Sequence, residues 1–225
     1  DIEQQCAIYR ALRDTLSPAE RRRYDDAIGL DNGISIDENY VKYVYGAAVE
    51  KAGTLLHGQS FDLIVSRAVL WEIYDIEGAL QVLDRVLRPG GLQIHKIACL
   101  DWLFADRFHP LEFLTVNETL YRWMAQDSGK SNRRTIAYYR QAMVRLMYDF
   151  KLHVTRTVGM AGEEFAAGVH ELVLGTHYSL EQLHLIKQIR PRLLERFQAL
   201  SDEDLLVEDM FLVAQKRSPG DRVNI

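Results

Sequence analysis

The run FDLIVSRAVLWEIYDIEGALQVLDRVLRPGGLQIHKIA, residues 61–98, constrains the fold more than any other part of the chain. FDLIVS is a short apolar run with a β-branched centre, the pattern of a strand buried on both faces. In the segment after it, Ile76, Ala79, Leu80, Leu83, Val86 and Leu87 fall on one stripe of a helix. Arg88-Pro89-Gly90-Gly91 closes that helix, with Gly free to take the left-handed conformation. LQIHKIA, residues 92–98, is the next strand. Strand, helix, strand in this order is a parallel crossover unit, expected to be right-handed.

The remaining segments build around that unit. Residues 3–16 read as a helix with Ile8, Leu12 and Leu16 on one face. Ser17, Pro18 and Glu20 form a helix start with a capping box. GLDNGIS is a turn-rich connector, YVKYVYG (40–46) a short strand, and residues 47–56 a helix. Residues 99–115 form a long connection rich in aromatic and charged residues, followed by helices at 116–126 and 135–149. KLHVTRTV is a strand, 162–200 is mostly helical with a boundary at Pro191, and DMFLVAQK (209–216) is the final strand. The class is α/β with helices added in the C-terminal half.

The 225 residues suit one domain, and 48% hydrophobic residues allow a substantial core. A net charge of −5 argues against nucleic acid as a partner. Arg21-Arg22-Arg23 and Arg133-Arg134 read as solvated helix faces or termini. Cys6 and Cys99 form neither a disulfide framework nor a metal-ligand spacing, so a reducing, cytoplasmic location is expected and no metal. No apolar run is long enough to span a membrane, and no secretory signal is present. The chain opens at an Asp inside a running helix, so its natural N-terminus is expected upstream. HELVL (170–174) starts like a zinc-protease helix, but Leu174 stands where the second His is needed.

FDLIVSRAVL and LRPGG at this spacing resemble the second half of a class I S-adenosylmethionine (SAM)-dependent methyltransferase domain. HPLEFLTVNETLYRWM, SNRRTIAYYR and LSDEDLLVEDMFLVAQK look like a bacterial subgroup associated with surface-polysaccharide and sugar methylation. The resemblance implies a Rossmann-like sheet, SAM as co-substrate, and a small-molecule or glycan acceptor. It depicts one domain in which 1–60 is a remnant of the N-terminal half, 61–98 the core, 99–207 the acceptor side with helical additions, and 208–217 the final strand. Two departures stand out. Trp71-Glu72 replaces the Glu-His pair usual in the family. The glycine-rich donor loop and the ribose-binding acid are missing, so the sheet is expected to be incomplete on its N-terminal side. An alternative is therefore a non-catalytic scaffold or partner protein.

The candidate site follows from position and resemblance. Ser66 and Arg67 end the buried strand, where ligands bind in open α/β sheets, with Ala68 and Val69 beside them. The structural alternative is a strand-end cap at Ser66 and a surface ion pair at Arg67. Tyr45 and Gly46 either border the donor adenine or pack in the core. His109, in the connection after the second strand, suits a general base for a hydroxyl acceptor, or else only bonds loop backbone. Trp71, Asp101, Asp106, Asn132 and Arg133 are candidate acceptor contacts. Their alternatives are a core ring at Trp71, solvated loop acids, and a helix entry followed by a surface charge.

Overall fold

The computed structural model describes residues 2–31, 33–101, 108–125, 131–162, 164–165 and 167–218. The chain divides between Ala47 and Ala48 into two compact units, where the sequence reads as one domain. The first unit holds α1 (Ile2–Thr15), α2 (Pro18–Ala27) and a hairpin of two-residue strands, β1 (Ile28–Gly29) and β2 (Ser35–Ile36). The capping box of α2 is formed as expected: the Ser17 side chain accepts from the Glu20 amide, and the Glu20 carboxylate accepts from the Ser17 amide. The Arg13 guanidinium braces α1 to α2 through both oxygens of Asp25, at 2.5 and 2.7 Å. Residues 40–46 are not a strand. Tyr43 and Tyr45 stand exposed, and among the described residues no strand supplies the pairing that β-forming residues require.

The second unit is α/β, a mixed sheet with helices, as the Rossmann-like reading requires. Its strands are β3 (Phe61–Arg67), β4 (Leu87–Ala98), β5 (Tyr148–Thr157) and β6 (Val207–Lys216), in spatial order β3-β4-β6-β5. β3 and β4 are parallel, with Ser66 opposite His95, and β6 runs antiparallel between β4 and β5. Between β3 and β4 lies α3 (Ile76–Val86), started by the Asp75 side chain accepting from the Gly78 amide. Its expected stripe is buried: Ile76, Ala79, Leu80, Leu83 and Val86 join Ile97, Met210 and Leu212 in one core. The helix ends earlier than the glycines suggest. Leu87 is already extended, and Gly90 takes φ +77° within the start of β4.

The expected burial of β3 on both faces does not hold. Leu63 is 51% and Val65 63% exposed, and among the described residues β4 is the only strand paired with β3. Three further expectations shorten. The helix placed at 47–56 is a 3-10 turn at Val49–Lys51. The helix placed at 135–149 is α5 (Ile136–Arg145), which a left-handed Met147 separates from β5. Of 162–200, helix occupies α6 (Leu180–Ile189), the 3-10 turn Arg190–Arg192 and α7 (Glu195–Gln198). α4 (Glu118–Ala125) and α8 (Asp202–Leu206) complete the unit. A second core, with Phe113, Tyr121, Ile186 and Phe197, packs these helices together.

Candidate functional site

β3 ends where the sequence places the ligand edge, and the chain turns sharply there. Ala68 has φ +54°, and its amide donates to the Lys96 carbonyl at 3.0 Å. Arg67 and Val69 are exposed on either side. Ser66 is not free. Its hydroxyl lies 2.7 Å from His95 Nδ1, His95 Nε2 lies 2.9 Å from Gln93 Oε1, and Gln93 Nε2 donates to the Tyr148 hydroxyl at 2.9 Å. Tyr148 in turn donates to Asp84 at 2.8 Å, and Lys216 pairs with Asp84 at 3.2 Å. Because Nε2 must carry the proton given to Gln93, Nδ1 is the acceptor and Ser66 the donor. All four hydrogen bonds then point the same way, the arrangement in which neighbours polarise one another. Burial depresses His95 to about 4, so the ring is neutral at ordinary pH. Burial and the Asp84 carboxylate push the Tyr148 phenol up, which keeps it a donor.

This relay of Gln93 and His95 was not among the sequence candidates. The signal was present: Gln93, His95 and Ile97 alternate onto one face of a strand, and two polar residues on an inward face must find partners.

The loop after β3 is held from the other side of the unit. Asn132 Nδ2 donates to the carbonyls of Leu70 (2.7 Å) and Ile73 (2.9 Å), and its amide donates to that of Trp71 at 2.7 Å. Its side-chain oxygen accepts from the Arg134 amide at 3.1 Å. Asn132 is a clamp with its polar atoms in use. Trp71 is half-buried against the main core, with its indole N–H on the Ala68 carbonyl at 3.1 Å, so the ring braces the loop. Arg133 is 3% exposed and left-handed at φ +57°, a conformation that costs on the order of 1–3 kcal/mol for a residue with a side chain. Its guanidinium offsets this by donating to the Phe113 and Val116 carbonyls, pairing with Glu118 at 2.6 Å, and stacking 4.0 Å over the Tyr121 ring. Arg133 is not the surface charge of its alternative reading, and the helix entry falls at Thr135 rather than at Asn132.

His109 is committed too. Its Nε2 donates to the Leu185 carbonyl at 3.1 Å and its Nδ1 accepts from the Leu111 amide at 3.1 Å. Those partners fix the neutral tautomer, and burial lowers its pKa despite the Leu185 carbonyl. With both nitrogens on backbone, the ring has no lone pair turned to a substrate. Asp101 is buried, 2.8 Å from the Tyr121 hydroxyl. Asp106 lies outside the described residues. Tyr45 and Gly46 belong to the first unit, with Tyr45 89% exposed and Gly46 at φ +79°. Among the described residues no cluster of His, Cys, Asp or Glu is placed to hold a metal, and no helix is long and apolar enough to cross a membrane.

A pocket of about 150 Å³ opens beside the clamped loop, lined by Tyr74, Glu118 and Arg122, and by Arg133, Arg134 and Arg196. Arg122 Nε donates to the Tyr74 hydroxyl at 2.9 Å, and Arg196 shares Glu118 with Arg133. Arg134 stacks 4.5 Å from the Tyr138 ring, and its buried Nε has no hydrogen-bond partner among the described residues.

Residues 32–94 match the methyltransferase domain family. That span covers β3, the clamped loop, α3 and β4 as far as Ile94. Among curated proteins none matches. A solved structure of phosphoethanolamine N-methyltransferase 2 from Haemonchus contortus, in complex with S-adenosyl-L-methionine, is similar at 14% identity and a TM-score of 0.35 over 70% of this chain. The chain spans 34% of that structure's length. The methyltransferase domain match supports SAM as the co-substrate of the matched segment.

Proposed function

We propose that the chain serves SAM-dependent methyl transfer, with a sugar or glycan hydroxyl as acceptor. The observation that carries the reading is the match of residues 32–94 to the methyltransferase domain family, on a strand, loop and helix that do form. The C-terminal end of β3 supplies one wall of a donor site: a sharp turn at Ala68, exposed Val69 and a loop held rigid by Asn132. The chemistry is displacement at the sulfonium methyl, helped mainly by holding donor and acceptor in line. The sugar acceptor rests on the sequence resemblance in the C-terminal half.

The second reading is a non-catalytic partner protein. What favours it is the use of Ser66, His109, Asn132 and Arg133 in internal hydrogen bonds, which leaves them little to offer a substrate. In addition, no glycine-rich loop follows an apolar strand ahead of β3 among the described residues. Titration calorimetry with SAM on the 225-residue chain separates the two. Stoichiometric binding, followed by transfer of labelled methyl to a sugar panel, supports the enzyme. No heat above dilution removes methyl transfer as an activity of these residues.

A further inference from the structure

The arginine pocket is more positive than its internal pairing requires. Four arginines line it against a single lining carboxylate, Glu118, which is shared by Arg133 and Arg196. Arg122 and Arg134 have no carboxylate partner among the described residues, and the Nε of Arg134 is buried without an acceptor. Uncompensated positive charge in a recess concentrates anions. Guanidinium forks match the oxygens of a phosphate two at a time.

We propose that this pocket binds the phosphate group of a phosphorylated small molecule through Arg122 and Arg134, with Arg196 at its rim. Its volume of about 150 Å³ is some five waters at about 30 Å³ each, enough for a phosphate but not for the body of a substrate, which projects outward. Tyr74 ties the pocket to the loop after β3, so a molecule anchored there lies near the C-terminal end of β3. Calling that molecule the methyl acceptor rests on the proposed function. The phosphate site itself does not.

The probe is inorganic phosphate, titrated into the 225-residue chain by calorimetry at constant ionic strength, with succinate as the carboxylate comparison. Saturable binding near one per chain is expected, weakened roughly tenfold or more by Arg122→Gln and by Arg134→Gln. Arg140→Gln, which alters a surface pair with Asp204 outside the pocket, should leave it unchanged. Unfolding midpoints of the variants report that each is folded. No saturable phosphate binding, binding that survives both pocket variants, or binding of succinate in preference to phosphate would overturn the assignment. Because SAM is absent from this titration, a failure of methyl transfer leaves its outcome untouched.

Discussion

β3 and β4 are parallel neighbours, and both read as apolar strands, yet they live in different solvents. Face by face, Gln93 and His95 of β4 are 0–1% exposed where their β3 partners Ile64 and Ser66 are half-buried, and on the opposite face Leu92 and Ile94 are half-buried where Leu63 and Val65 are more than half exposed. The difference is the number of neighbours. β4 is hydrogen-bonded on both sides, by β3 and β6, whereas among the described residues β3 has β4 alone. An apolar run reports that a strand is suited to burial, and the sheet decides whether burial occurs. The polar residues divide the same way: inside β4 they must be paired, and at the C-terminal end of β3 Ser66 is paired through the buried His95, while Arg67 stands exposed.

The largest test of this contrast is in the middle of β4. Ile97→Ala removes a side chain with no exposure from the main core and should cost about 2–5 kcal/mol in urea unfolding. A loss under about 1 kcal/mol would mean that the core around β4 is loose and the contrast with β3 is superficial.

The next effect is electrostatic. The unfolded chain protonates His95 near 6.5, while the folded chain holds it neutral down to about 4. Between those values the unfolded state binds the extra proton, so stability falls as pH drops from 6.5 towards 4 and is fully present above 6.5. The gap, at about 1.36 kcal/mol per pH unit, is about 3 kcal/mol. Glu208 acts in the opposite sense. Burial outweighs its pairing with Arg156 and holds it at about 7, so between 4.5 and 7 its contribution falls as pH rises. Comparison with His95→Gln therefore isolates the term: urea unfolding at pH 7.5, 5.5 and 4.5 should show the gap between the two proteins shrinking as pH falls. A constant gap would mean that His95 is not buried neutral.

How legible all this was depends on whether a feature is local. The capping box at Ser17–Glu20 and the stripe of α3 involve residues within a turn or two of each other, and both formed as the sequence indicates. The strand at 40–46 and the burial of β3 depend on partners far away in sequence, and both departed from expectation. The site divides along the same line. Arg67, Ala68 and Val69 lie at the strand end where pattern placed them, but Asn132, Arg133 and His109 were legible only as polar residues in connections. Several of their partners are far off in sequence: Leu185 is 76 residues from His109, Leu70 is 62 from Asn132, and Phe113 is 20 from Arg133. Sequence shows that such residues must bond to something, and only the fold shows that the something is backbone.

His109 gives a smaller test of that distinction. His109→Ala should cost about 1–2 kcal/mol by releasing the Leu111 amide and the Leu185 carbonyl. His109→Gln, which can reach at least one of these partners, should recover part of the loss. Unchanged unfolding midpoints in both variants would show that the ring anchors nothing and would return it to the candidates for chemistry.

The smallest expected effect is at the open strand. Val65→Lys places a charge on a residue 63% exposed, opposite Ile94 in the register. A lysine on an edge strand is a substitution that folded proteins tolerate, since the long stem lies over apolar surface while the ammonium stays in water. Unfolding free energy should change by no more than about 0.5 kcal/mol. Sedimentation of the variant and the parent at several concentrations should then agree. If stability instead falls by as much as in Ile97→Ala, β3 is covered in solution. If stability holds but a concentration-dependent species disappears, the cover is a second copy of the chain. Either result would make the openness of β3 a property of the isolated chain, and the contrast with β4 would become one of which partner covers each strand.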